Sequence, residues 1–150
     1  MKTLQGIEGV KSMSGKEWGQ SDWLQVTQDR IDQFADATND HQWIHVDAER
    51  AKKGPFGTTI AHGFLTLSLI PGLAGSLVKV EGVRMGINYG LNKVRFPSPV
   101  RVGSRVRAVS KNVSVDDVEG GVQVVNQVTI EIEGQEKPAC VAETVSRFYF

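Results

Sequence analysis

The sequence predicts an α+β fold in which one buried helix is wrapped by an antiparallel sheet. Three observations lead there. Residues 61–69 (AHGFLTLSL) are apolar on nearly every side, as expected of a helix enclosed by something larger. After residue 82 the chain turns to about four long strand-like runs separated by turn signals. Helical patterns come before that point and strands after it, the segregation that marks α+β organisation. At 150 residues the chain suits a single domain, 1–150, around one core.

Residues 1–20 are weakly patterned and are expected as an N-terminal arm or short helix. Trp23, Leu24 and Val26 suggest a short strand closed by Thr27. Thr27 is an N-cap candidate for a helix over 28–38, with Asp29 in its first turn. Ile31, Phe34, Ala35 and Thr38 fall on one face of it. Asn39-Asp40 breaks the period, and the segment up to His45 is expected to lack regular helix. Asp47 caps a short helix over 48–53, which Gly54-Pro55 stops. Pro71-Gly72 kinks or ends the first part of the apolar helix, and 73–80 are expected to continue it. Strands follow over 85–96, 104–115, 122–132 and 140–150, as an antiparallel meander with a hairpin turn at 116–121. The third alternates cleanly, Val122, Val124, Val128, Ile130 and Ile132 against Gln123, Gln127, Thr129 and Glu131.

Composition narrows the function classes. Seventeen basic residues balance 17 acidic ones, so no long-range field draws in nucleic acid or an anionic membrane. Basic residues between Arg95 and Arg107 are broken up by Pro, Gly and Val, unlike a polybasic tail. The single cysteine, Cys140, excludes an internal disulfide and fits a reducing cytoplasm, with the thiol as a small buried hydrophobe. No secretory signal and no 18-residue apolar span is visible. The expectation is a cytoplasmic protein.

All three histidines, His41, His45 and His62, lie within the window 34–71. Asp40 precedes His45 by five residues, and His62 opens the apolar helix. A carboxylate and an imidazole sharing one water opposite a helix start suit proton transfer beside a developing oxyanion. His41 is expected at the surface or a pocket rim. His62 is expected to be structural, bonding backbone near the helix start. A zinc reading of His41 and His45, four apart, needs a continuous helix or defined loop and a third ligand. Asn39-Asp40 and Asp47 oppose that helix, so no metal is expected.

Asp40-x4-His45, followed by Ala61-His62-Gly63 and the apolar helix, resembles the motif of the MaoC-like, (R)-specific enoyl-CoA hydratases. The segment NYGLNKVRFPSPVRVGSRVRA also resembles theirs, and FADATNDHQWIHVD with GPFGTTIAHGF is similar to the nodulation protein N-like branch. The likeness covers residues 20–150. It departs where many members have Asn-Pro and this chain has Gln42-Trp43. The resemblance implies a hot dog fold, an antiparallel sheet around a long central helix, and at least a homodimer. It implies addition of water to trans-2-enoyl thioesters, giving (R)-3-hydroxyacyl thioesters. The carrier would be coenzyme A or acyl-carrier protein, with the thioester as substrate and no further cofactor. Asp40 and His45 would hold the water, and Gly63 would supply the leading oxyanion N–H. Ser68 matches a pocket-lining serine of some members, though a plain core serine bonding its i−4 carbonyl reads equally well. Trp43, Phe56 and Phe64 are candidates to line an acyl tunnel, and Asn88 and Tyr89 to reach the pocket. Lys93, Arg95, Arg101 and Arg105 are candidates to meet phosphates. Two alternatives stay open, an acyl-CoA thioesterase and a non-catalytic acyl-thioester-binding protein. The thioesterase reading is weakened because 64–69 holds no Asp or Glu.

Overall fold

A computed structural model describes residues 1–150. Its first half holds four of the helical elements the sequence signals. Helix α2 (Gln28–Thr38) starts where Thr27 accepts a hydrogen bond from the Arg30 N–H at 3.2 Å. It ends at Asn39, whose φ of 58° turns the chain sharply. Ile31 and Ala35 are buried on its inner face. A short turn, α3 (Trp43–Val46), leads to α4 (Ala48–Lys52), capped by Asp47 through the Arg50 N–H at 3.1 Å.

The apolar helix is not one long rod. It consists of α5 (Gly63–Ser68) and α6 (Ile70–Gly75), joined at Leu69. Leu69 itself stays right-handed, but Pro71 has no N–H to bond back, so the ladder is interrupted there. The expected continuation through 73–80 is also corrected. Helix α6 stops at Gly75, and β4 (Val78–Glu81) pairs in parallel with β1 (Lys2–Gln5). Alternating Val78 and Val80 suit a strand better than a helix.

Residues 1–20 are not an arm. They form β1, α1 (Gly6–Lys11) and β2 (Glu17–Gln20), and bury Leu4, Val10, Met13 and Trp18 against Val122 and Val124. The single Leu4, Val10 and Trp18 positions are spread over three short elements, too short for a periodicity to show.

Strands β5 (Met85–Arg95), β6 (Arg105–Val118), β7 (Gly121–Ile132) and β8 (Cys140–Tyr149) lie close to expectation. Strand β6 runs to Val118, so the turn is tighter than 116–121 suggested, with Gly120 at φ 79°. The sheet order is β2-β6-β7-β8-β5, all antiparallel, and β3 (Leu24–Gln25) pairs with β6. Only β6, β7 and β8 form a meander. Strand β5 sits beyond β8, so the chain crosses the sheet before β6. That placement leaves β5 as an edge, with Met85, Ile87, Tyr89 and Leu91 exposed.

The inner face carries a main core of Ile31, Leu65, Ile70, Val106, Val128 and Ile130 among others, with Cys140 at 0% exposure. Burial raises the Cys140 thiol to about 11, which fits an inert hydrophobe. A second cluster lies around Val10 and Trp18. Between the two, Asn112 is buried with all its hydrogen-bonding capacity used. Its Nδ2 donates to Asn126 Oδ1 at 2.8 Å and to the Val125 and Ser114 carbonyls at 3.1 Å. Its Oδ1 accepts from the Gly15 N–H at 3.0 Å. Asn112→Ala should therefore cost at least about 2 kcal/mol, because several buried partners are orphaned at once. Urea unfolding that moves by less than about half that would remove Asn112 from this role.

Candidate active site

The segment 59–61 is the plank on which the site is laid. It crosses to the next strand through Ala61 N–H to the Val100 carbonyl (2.8 Å) and Val102 N–H to the Thr59 carbonyl (3.0 Å). On its other side the Ile60 N–H reaches the Ile44 carbonyl at 3.0 Å. His45 is buried, and its Nδ1 donates to the Ile60 carbonyl at 2.7 Å. A carbonyl can only accept, so Nδ1 carries the hydrogen and Nε2 is left with a lone pair.

Gln28 and Thr59, which the sequence reading did not single out, clamp the backbone of His45. Gln28 Nε2 donates to the His45 carbonyl at 2.8 Å, while Gln28 Oε1 accepts from the Thr59 hydroxyl at 2.6 Å. Nothing in a lone Gln at the start of α2 signals that reach across 17 residues.

Asp40 follows directly on the left-handed Asn39, and its N–H returns to the Ala35 carbonyl at 3.1 Å. Its own carbonyl accepts from His62 Nε2 at 3.0 Å. Oδ1 of the carboxylate accepts from the Gln42 N–H at 3.4 Å. Polar atoms of Asp40, His45 and His62 all come within 4.8 Å of one another. The His45 and His62 rings stack at 3.8 Å with a 22° tilt, and Phe34 packs on His62 at 4.9 Å. His62 donates through Nε2, so its Nδ1 carries the lone pair and has no partner in the protein. The spacing of one carboxylate and two imidazoles also fits the ligand set of a metal ion.

A cavity of about 370 Å³ opens against His45, lined also by Ile44, Phe56, Gly63 and Phe96. Gly63 is the first residue of α5, and its N–H has no acceptor in the chain. A Cβ there would sit 3.2 Å from the Phe96 ring, so glycine is what lets that ring close over the helix start.

The other sequence candidates are dispersed. Phe56 lines this cavity, but Trp43 does not; it stacks under the Arg50 guanidinium at 4.4 Å. Phe64 is exposed and meets Phe96 edge-on at 6.1 Å, so it lines no tunnel. Ser68 donates to the Phe64 carbonyl at 2.6 Å, the plain i−4 bond, and lines a different cavity with Asn88. Tyr89 lies beneath the Arg147 guanidinium at 3.7 Å on the edge strand. His41 is exposed and pairs with Asp36 at 2.8 Å, outside the cluster. The expected irregular loop contains the helical turn α3, which is what turns His45 inward.

The chain matches the MaoC like domain over residues 10–134. It belongs to the MaoC-like family. MaoC-like dehydratases are hydro-lyases, and this chain is an enzyme of that kind. It is 56% identical to 3-hydroxyacyl-thioester dehydratase Z of Mycobacterium tuberculosis over 99% of each chain. It is 48% identical to nodulation protein N of Rhizobium leguminosarum bv. viciae, over 96% of this chain and 91% of that protein. The crystal structure of the monoamine oxidase regulatory protein from Archaeoglobus fulgidus superposes with a TM-score of 0.81 at 26% identity, covering 99% and 95% of the two chains. The MaoC-like fold here is the hot dog arrangement, with the helix broken at Leu69. No helix is long and apolar enough to cross a membrane.

Burial lowers the His45 pKa from its ordinary 6.5, and the neighbouring His62 adds to this, while the Ile60 bond and Asp40 oppose it. The unfolded chain therefore takes up this proton at a higher pH than the folded one. Stability from keeping the ring neutral is full above 6.5 and is lost as pH falls through 6.5 toward the folded value. Histidine-ring NMR should place the His45 midpoint below 6.5, and urea midpoints should fall on acidification, less so in His45→Gln. A His45 midpoint at or above 6.5 contradicts this account of the ring's surroundings.

Proposed function

We propose that the protein is an (R)-specific hydratase that adds water to trans-2-enoyl thioesters, and reversibly dehydrates (R)-3-hydroxyacyl thioesters. The observation that carries this reading is the approach of the Asp40 carboxylate to an imidazole nitrogen of His45, within 4.8 Å, where the His45 ring lines the cavity that Gly63 also lines. His45 is held in the tautomer that leaves Nε2 as an acceptor. A water bridging that nitrogen and the Asp40 carboxylate loses a proton as its oxygen bonds to the β-carbon. The pair returns a proton to the α-carbon, so one water is consumed and no proton is gained or lost. The base and acid roles are assigned to the two residues together. Negative charge built on the thioester oxygen is met by the unpaired N–H of Gly63.

The mycobacterial relative, 3-hydroxyacyl-thioester dehydratase Z, supports the substrate class, a 3-hydroxyacyl thioester. Of the basic candidates for phosphates, Arg101 donates at 3.2 Å to the carbonyl of Phe56, which lines the cavity. Arg105 is taken up by Glu133. A homodimer through the β5 edge would cover the exposed Ile87, Tyr89 and Leu91.

Purified protein should deplete the enoyl absorbance of crotonyl-CoA with no release of free thiol. Asp40→Asn and His45→Gln should each lower kcat by about 10²- to 10⁴-fold with the fold intact by circular dichroism. Thiol release would replace this reading with a thioesterase, and wild-type turnover in either variant would remove the dyad.

A further inference from the structure

Helix α3 is a single turn, so the His45 carbonyl has no helical N–H above it, and no backbone N–H from elsewhere takes it up. Gln28 does so instead. The side chain of this first residue of α2 is not spent on capping the helix, because Thr27 already fills that role. Its Nε2 donates to the His45 carbonyl at 2.8 Å and to Asp32 Oδ1 at 2.9 Å. Its Oε1 accepts from the Thr59 hydroxyl at 2.6 Å. A carbonyl and a carboxylate only accept, so they fix which end of the amide is nitrogen, and Thr59 is the donor.

These bonds close a frame around the imidazole. From the His45 carbonyl the frame runs through the Gln28 amide to Thr59, along the chain to the Ile60 carbonyl, and back to His45 through Nδ1 at 2.7 Å. Thr59 is buried, and the backbone on either side of Ile60 is fastened to Val102 and Val100. Asp40 lies outside the frame. Its N–H is held by the Ala35 carbonyl and its own carbonyl by His62. A change in the frame therefore moves His45 without moving Asp40, and the spacing between the two is what alters.

We infer that Gln28, oriented by Thr59, is a positioning residue that sets how far the His45 ring reaches toward Asp40. The reaction it serves rests on the hydratase reading above; the frame rests on the bonds alone. Neither Gln28 nor Thr59 lines the cavity at His45, so the effect of both passes through the histidine. Valine would fill the space of Thr59 but could not hold the amide in one orientation. A reacting group misplaced by about 1 Å can lose about 10²-fold in rate, so a modest slip of the ring is enough to register in turnover.

Steady-state kinetics of the full protein on crotonyl-CoA decide this, together with nitrogen NMR of the histidine rings. Gln28→Glu keeps an oxygen for the Thr59 hydroxyl but sets another against the His45 carbonyl, and Thr59→Val removes the hydroxyl. Each should lower kcat about 10- to 100-fold with KM little changed. Thr59→Ser retains the donor and should recover most of the turnover lost in Thr59→Val. The wild-type spectrum should show neutral His45 as the Nδ1–H tautomer, and Gln28→Glu and Thr59→Val should show a mixture, with circular dichroism unchanged. Wild-type kcat in both of those variants, an equal loss in Thr59→Ser and Thr59→Val, or lost turnover with the tautomer unaltered would overturn the inference. If Gln28→Glu does not fold, the two Thr59 variants carry the test. A wild-type protein that hydrates no crotonyl-CoA would fail the hydratase reading, and the hold on His45 is then judged by the tautomer signals alone.

Discussion

The hydrogen bond from His45 Nδ1 to the Ile60 carbonyl is the constraint on which the site depends. Ile60 is also bridged to Arg101 in the next extended segment, and its N–H holds the Ile44 carbonyl. The imidazole is thus fixed to the sheet side of the molecule by its ring and to α2 through Gln28 on its backbone. Asp40 is anchored differently, through its carbonyl to His62 at the start of α5. Asp40 and His45 are therefore held by separate elements that meet only in the tertiary fold. His45 keeps Nε2 open, and the Asp40 carboxylate accepts only the 3.4 Å contact from the Gln42 N–H.

The same economy appears on the opposite side of the helix pair. There a polar row across β6 and β7 divides one hydrophobic core from another. Asn112 is fully committed to holding the sheet and the Gly15 loop together, and in doing so it orients its neighbour Asn126. A buried amide with every bond made fixes a unique packing.

Much of this was legible in the chain itself, for identifiable reasons. The cap at Thr27, the break at Asn39 and the alternation through β7 are local signals, and the structure keeps all three. The grouping of Asp40, His45 and His62 was readable because all three fall within one short window. What was not legible depends on contacts remote in sequence. The break at Leu69 needed the consequence of Pro71 worked through the hydrogen-bond ladder, not merely noticed. The crossing from β5 to β6 has no local signature, since either edge of β8 would accept that strand. Trp43 and Phe64 look like tunnel walls by composition, yet one is held under Arg50 and the other faces outward. Gln28 and Phe96 were invisible because an amide and a ring carry no chemistry until the fold sets something beside them.

The parallel pairing of β1 with β4 joins residues 2–5 to residues 78–81. Such a contact spans half the chain, so it closes a large loop and contributes to slow folding. Residues 2–5 have no strand to bind until residues 78–81 are in place. Leu4, Val10 and Trp18 wait further, for Val122 and Val124 of β7. Residues 2–5 are accordingly among the last to find their place, and Leu4, Val10 and Trp18 stay unshielded until that late pairing forms.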